Sequence, residues 1–198
     1  MSRGGFLRRS AVGGGVLLAS ASGLAAVAPV AAADAPPDSD LAYLRLLIAA
    51  ELLVIDFQTT ALTGGKLRGT GAQALFRRIR ADERDHYTHL ASLLTAAGGT
   101  PATSDDIDFS YPKGSFRSRA SILRLAGRLE HLMVGAYVGA IENVETPALR
   151  LPIGQIAANE AQHQTVLAGL SGRPVIEKAF APALPMGAVS DVLDEFES

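Results

Sequence analysis

Cysteine is absent from this 198-residue chain. That excludes a disulfide frame and removes thiolates from the set of metal ligands. Charge is scarce too, with charged residues at 19% and a formal net charge of −2. The first 33 positions hold Arg3, Arg8 and Arg9 and no acid; without them 15 of the 18 Lys+Arg remain against 20 Asp+Glu. Such an acidic remainder carries no basic footprint for nucleic acid. Beyond residue 33 no apolar run is long enough to cross a bilayer, and no useful stretch alternates as a half-buried strand does. The sequence also lacks a pocket signature for a large ligand and any electron-transfer motif. About 165 residues then suffice for one domain with a substantial core.

The opening 33 residues read as an export signal. A basic head is followed by an apolar, Gly/Ala-rich run from Ala11 to Val30, and Ala31-Ala32-Ala33 offers a small-residue cleavage site. The pair Arg8-Arg9 points to the twin-arginine route, although Leu7 before it and Ala11-Val12 after it depart from that route's usual pattern; the alternatives are an ordinary secretory signal or an uncleaved anchor. The expected destination is the periplasm, the cell envelope or the medium. Residues 34–39 are a short Pro- and Asp-rich linker, and Asp38, Ser39 or Asp40 is placed to cap a first helix.

Four long helical patterns follow, at about 40–62, 72–97, 117–144 and 153–170. Gly64-Gly65 to Gly71, Gly98-Gly99-Thr100-Pro101, Pro147 to Pro152 and Ser171-Gly172-Arg173-Pro174 punctuate them. The first and last connections are short, so they join antiparallel neighbours. The middle one, about 98–116, could cover roughly 60 Å at about 3.3 Å per residue, and a helix of 26 residues is only about 39 Å long. The expected fold is therefore all-α: a four-helix bundle over 40–171, two antiparallel hairpins joined by a long crossover. A tail, 172–198, carries one short amphipathic segment from Val189 to Phe196.

Each helix has a core-facing stripe. In order these are Leu41, Leu44, Ile48, Glu51, Ile55, Gln58, Leu62; then Phe76, Ile79, Glu83, His86, Leu90, Leu93, Ala97; then Leu123, Ala126, Glu130, Met133, Tyr137, Ala140, Val144; then Ile153, Ile156, Glu160, His163, Leu167, Leu170. Every stripe carries a Glu at its middle, and two of these are followed by a His three residues on. A Glu and a His at that spacing share one helix face. Glu is almost never fully buried unless paired, and a lone buried carboxylate costs several kcal/mol even after relaxation. Four acids at one height therefore call for a shared counter-ion. Two divalent cations would balance four carboxylates and two neutral imidazoles, and oxygen-plus-imidazole donors suit iron, manganese or zinc. The pattern matches the template of dimetal carboxylate bundles: one Glu from each of two helices and Glu-x-x-His from each of the others.

Asp82 and Asn159, one residue before the motif glutamates, are placed to take the outer N–H of a ligating imidazole across helices. Tyr137 could hydrogen-bond a ligand or relay an electron. Gln58 reads as a buried hydrogen-bonding side chain and Met133 as packing. His89, His131, Asp56, Asp85 and Glu142 read as solvated.

The sequence resembles the ferritin-like superfamily, and within it the exported ferritin-like domain proteins grouped with desiccation-related proteins. The residues that carry the likeness are Ala50-Glu51 with Asp56-Phe57, Asp82-Glu83-x-x-His86, Leu129-Glu130 with Gly135-Ala136-Tyr137, and Asn159-Glu160-x-x-His163. In the tail Ala179-Phe180 and Pro182 fit, whereas Ala181 stands where relatives often carry Asp. The resemblance implies metal ligation by Glu51, Glu83, His86, Glu130, Glu160 and His163. Storage ferritins usually lack the second Glu-x-x-His, which speaks against a storage cage. The leading expectation is a site for two iron or manganese ions that reacts with dioxygen or peroxide, with no nucleic-acid partner. A homo-oligomer is compatible with the sequence. The competing expectation is a metal-free bundle with a structural, stress or interaction role in the envelope.

Overall fold

The computed structural model describes residues 35–176 and 178–197; the expected export signal lies outside them. Five helices appear in chain order: α1 (Asp38–Thr63), α2 (Gly71–Ala96), α3 (Arg119–Asn143), α4 (Pro147–Leu170) and a short α5 (Met186–Asp194). No strand occurs among the described residues, only one isolated antiparallel bridge between Phe109 and Glu197. The main packing pairs are α1 with α2 and α3 with α4. The hairpins meet through α1–α3 and α2–α4, and α5 lies on α1 and α3. This is the two-hairpin bundle that the stripes predict. No helix of the described residues is long and apolar enough to cross a membrane.

The helix ends follow local chemistry. Gly98 and Gly172 adopt φ of 80° and 69°, which lets the following amides turn back to Leu94 O and Ala168 O, both at 2.9 Å. The start of α3 is a reciprocal cap. The Ser118 hydroxyl accepts from the Ser121 amide at 3.1 Å, and the Ser121 hydroxyl from the Ser118 amide at 2.9 Å. Asp40 does not cap its own helix. Fully buried, it accepts from the amides of Glu145 and Thr146 at 2.9 and 2.8 Å, so α1 holds the turn that opens α4.

That opening differs from the sequence expectation, because α4 begins at Pro147 rather than near 153. Pro147 falls in the first turn, where a missing N–H removes no helical bond. Pro152 does remove one, yet Leu149 and Ile153 on either side of it are buried in the core, and that burial outweighs the lost bond.

The crossover lies against the bundle. Tyr87 donates to Ala102 O at 2.9 Å, Ile107 is buried, and Tyr111 donates to Asp56 at 2.7 Å. Asp56 is therefore half-buried and bonded, not solvated. The Tyr111 ring meets Phe57, Phe116 and Phe196 at 5.9, 5.1 and 5.9 Å. Burial pushes the Tyr111 hydroxyl up, and the Asp56 carboxylate reinforces this.

The tail packs on α3 along Gly135 and Gly139. The Leu184 amide donates to Gly135 O at 2.9 Å, and a Cβ added at Gly139 would collide with the Leu184 carbonyl. Beyond it α5 buries Val189 and Leu193, and Phe196 closes the contact, with its carbonyl accepting from the Ser110 amide at 2.7 Å.

Gly139→Ala is expected to destabilise the protein by about 1–3 kcal/mol, the usual overpacking range, and to expose the tail to protease. Gly154→Ala is the control. Its new methyl would meet only Ile141 at 3.8 Å, so up to about 1 kcal/mol of helix propensity is gained. Paired thermal melts and limited proteolysis separate the two.

Candidate metal centre

The stripe glutamates come together at mid-bundle. Glu51 of α1, Glu83 of α2, Glu130 of α3 and Glu160 of α4 each have 0% relative exposure, and His86 and His163 have 9% and 5%. Two groups form. In one, ligand atoms of Glu51, Glu83, His86 and Glu160 lie within 4.8 Å of one another; in the other, those of Glu83, Glu130, Glu160 and His163 do. Glu83 and Glu160 belong to both groups. Either group could hold a metal ion.

His86 Nδ1 approaches Glu160 Oε1 at 2.9 Å, Glu83 Oε2 at 3.0 Å and Glu51 Oε1 at 3.7 Å. His163 Nδ1 approaches Glu83 Oε1 at 3.2 Å, Glu160 Oε2 at 3.4 Å and Glu130 Oε2 at 3.7 Å. Proximity is not alignment here. Glu51 Oε2, Glu83 Oε1, both oxygens of Glu130 and of Glu160, and His163 Nδ1 are buried without an aligned hydrogen bond. Atoms that have lost water and gained no donor carry a large desolvation penalty. The orphaned set, carboxylate oxygens with imidazole nitrogen, is the donor chemistry that iron, manganese or zinc takes. The residues present therefore fit a metal.

The outer imidazole nitrogens are held across helices. His86 Nε2 lies 3.0 Å from Asn159 Oδ1 of α4, and His163 Nε2 lies 3.4 Å from Asp82 Oδ2 of α2. These bonds leave each Nδ1 facing the carboxylates. Tyr137, fully buried, donates its hydroxyl hydrogen bond to Glu51 Oε1 across the α1–α3 contact, not to Glu130 on its own helix.

Without a metal, protons fill the same role. Burial raises Glu51 well above the ordinary carboxylate range, and the charges of Glu83 and Glu160 add to this. Burial also raises Glu130 well above that range, and His163 only partly offsets it. Burial would raise Glu160 too, but the His163 and His86 imidazoles close against it override this and hold the group at about 2. Burial alone would lower His86; Glu160 and Glu83 lift it to about 9. His163 is also raised, by Glu130, Glu160 and Glu83, against the same effect of burial.

Met133 is buried as packing, and His89, His131, Asp85 and Glu142 are exposed. Gln58 departs from expectation: it is fully buried, but neither side-chain atom has a hydrogen-bond partner among the described residues. The sequence reading missed Arg78, whose Nη2 and Nε meet Asp82 at 2.7 and 3.0 Å. Its signal was the i,i+4 spacing to an acid. A cleft of about 360 Å³ between α3, α4 and the tail, with Arg173 and Lys178 in its wall, contains none of the six Glu and His residues.

An all-helical bundle of paired hairpins with a buried Glu/His cluster at its waist is ferritin-like architecture. The chain belongs to that family: the family model described as a ferritin-like domain matches residues 39–173. No curated protein matches the chain by sequence.

The pH dependence of the metal-free fold follows from these shifts. His86, raised from 6.5 to about 9, contributes stability below about pH 6.5 and loses it as pH rises through about 9. Glu160, lowered from 4.5 to about 2, contributes above 4.5 and loses it as pH falls towards 2. Glu51 and Glu130, both raised, withdraw support as pH climbs above 4.5. The metal-free protein should therefore melt highest at about pH 4–5 and lower at pH 9, roughly as linkage requires. Scanning calorimetry in chelator across that range checks the sign.

Proposed function

We propose that this chain is an exported protein with a dinuclear iron or manganese centre that carries out redox chemistry on dioxygen or peroxide. The observation that carries the reading is the set of orphaned carboxylate oxygens shared between two four-residue groups with two members in common. In this reading Glu83 and Glu160 would serve both ions, Glu51 and His86 would complete the set for one, and Glu130 and His163 the set for the other. Bound, a pair of such ions would supply the electrons that a small oxidant takes up.

The protein's own contribution is placement and exclusion. Asn159 and Asp82 hold the outer imidazole N–H groups, so that Nδ1 faces inward once its proton has left. The Tyr137 O–H, hydrogen-bonded to Glu51, is the nearest phenol proton and a candidate electron relay. The aliphatic neighbours Leu47, Ile48, Ile79, Leu90, Met133 and Ile156 are buried at 0–5% exposure, which keeps bulk water out and strengthens every charge interaction inside. The export reading rests on Arg8-Arg9 and the apolar run after it. A twin-arginine route moves folded protein, which would let metal be acquired before export.

The mature chain, reconstituted with iron or manganese and freed of excess, should retain close to two ions per chain by mass spectrometry. Fewer than one would end this reading. Glu130→Leu provides a second check. Removing a buried acid whose oxygens are both unbonded should stabilise the metal-free form by about 1–3 kcal/mol, the usual desolvation penalty of an unsatisfied buried polar group. Metal content should fall at the same time.

A further inference from the structure

The two halves of the cluster look alike by composition, one private Glu and one His each, with Glu83 and Glu160 common to both. Their surroundings are not alike. The outer nitrogen of His163 faces the Asp82 carboxylate at 3.4 Å, whereas that of His86 faces the neutral Asn159 amide at 3.0 Å. A carboxylate partner draws on the N–H proton and makes the opposite ring nitrogen a stronger donor. It also adds a net negative charge beside that half, and an amide supplies only a dipole.

The shorter bond at Asn159 does not reverse this ranking, because a charge acts over distance and a dipole fades faster. Nor does Arg78 cancel Asp82. The arginine side chain is 76% exposed and that of Asp82 only 11%, so water screens the former far more than the latter. A second difference points the same way. Glu51 gives up part of its charge to the Tyr137 hydroxyl, whereas neither Glu130 oxygen accepts an aligned hydrogen bond.

We infer that the two halves fill in order: a first divalent cation enters among Glu83, Glu130, Glu160 and His163, and a second, more weakly held, among Glu51, Glu83, His86 and Glu160. Asp82 and Asn159 act here as positioning residues that set the order. The inference rests on the dinuclear reading above and deepens it.

The test is a Mn(II) titration of the metal-free mature chain, followed by calorimetry and electron paramagnetic resonance. The wild type should bind in two steps. The spectrum of an isolated ion should dominate below one equivalent, and a coupled spectrum should appear only towards two. Asp82→Asn should weaken the first step about 10- to 100-fold, the usual effect of removing a partner of a ligating imidazole, and bring the two steps together. Asn159→Asp should tighten the second step and leave the first in place.

Arg78→Met, which frees Asp82 without removing its carboxylate, should preserve the first step; a purely structural role for the Arg78–Asp82 pair predicts its loss. If Asp82→Asn does not fold, Tyr137→Phe serves instead, with a tighter second step expected. Two results overturn the ordering: a coupled spectrum from the first addition, or a first step that responds to Asn159→Asp and not to Asp82→Asn. Failure of the wild type to bind either Mn(II) or Fe(II) would sink the dinuclear reading itself, and the ordering with it.

Discussion

Four carboxylates share one level of an apolar interior, and that crowding constrains the rest of the molecule. No pair of them can be ionised there without a counter-charge, since each has been stripped of water and each feels the others. The two histidines are the nearest counter-charge among the described residues. Every neighbouring feature serves to keep these six groups facing one another. Asp82 and Asn159 fasten the rings from the opposite helix, Tyr137 reaches over from α3 to α1, and Asp40 fixes the turn from which α4 rises towards Glu160. The bundle is a device for holding like charges close, and its aliphatic layers supply the cohesion that makes this tolerable.

Proton and cation are alternatives at such a place. Metal-free, the cluster holds extra protons on Glu51, Glu130 and the imidazoles, because burial raises those two acids and the neighbouring carboxylates raise both histidines. In the reading proposed above, an arriving cation would have to displace them, so that affinity and pH would be linked through the same atoms. The burial that makes the acids unfavourable when empty would also strengthen their hold on a bound cation, because Coulomb attraction grows in a low-dielectric interior.

The main lines of this arrangement could be read from the chain because helical periodicity is a local property. Leu44, Ile48, Glu51 and Gln58 fall on one face of α1 whatever surrounds the helix, and a charged residue repeated at the middle of four such stripes is conspicuous. What escaped depends on partners far away in sequence. Pro147 and Pro152 look like a break, and only the burial of Leu149 and Ile153 shows the helix running through them. Asp40 reads as a cap for its own helix because the turn it binds is more than a hundred residues on. Asp56 reads as solvated until Tyr111 arrives from the crossover. Gly135 and Gly139 gain their meaning only with the tail lying against them.

The pairing of Phe109 and Ser110 with Phe196 and Glu197 joins the crossover to the segment that follows α5. The crossover spans the bundle from end to end, and its outer side is tied to a residue 86 positions further on, Phe196 against Ser110. A contact that distant in sequence closes a long loop, and its entropy cost is offset only once the elements in between are in place. Both hairpins, held by nearer contacts, can therefore form while the seam over α1 and α3 still stands open.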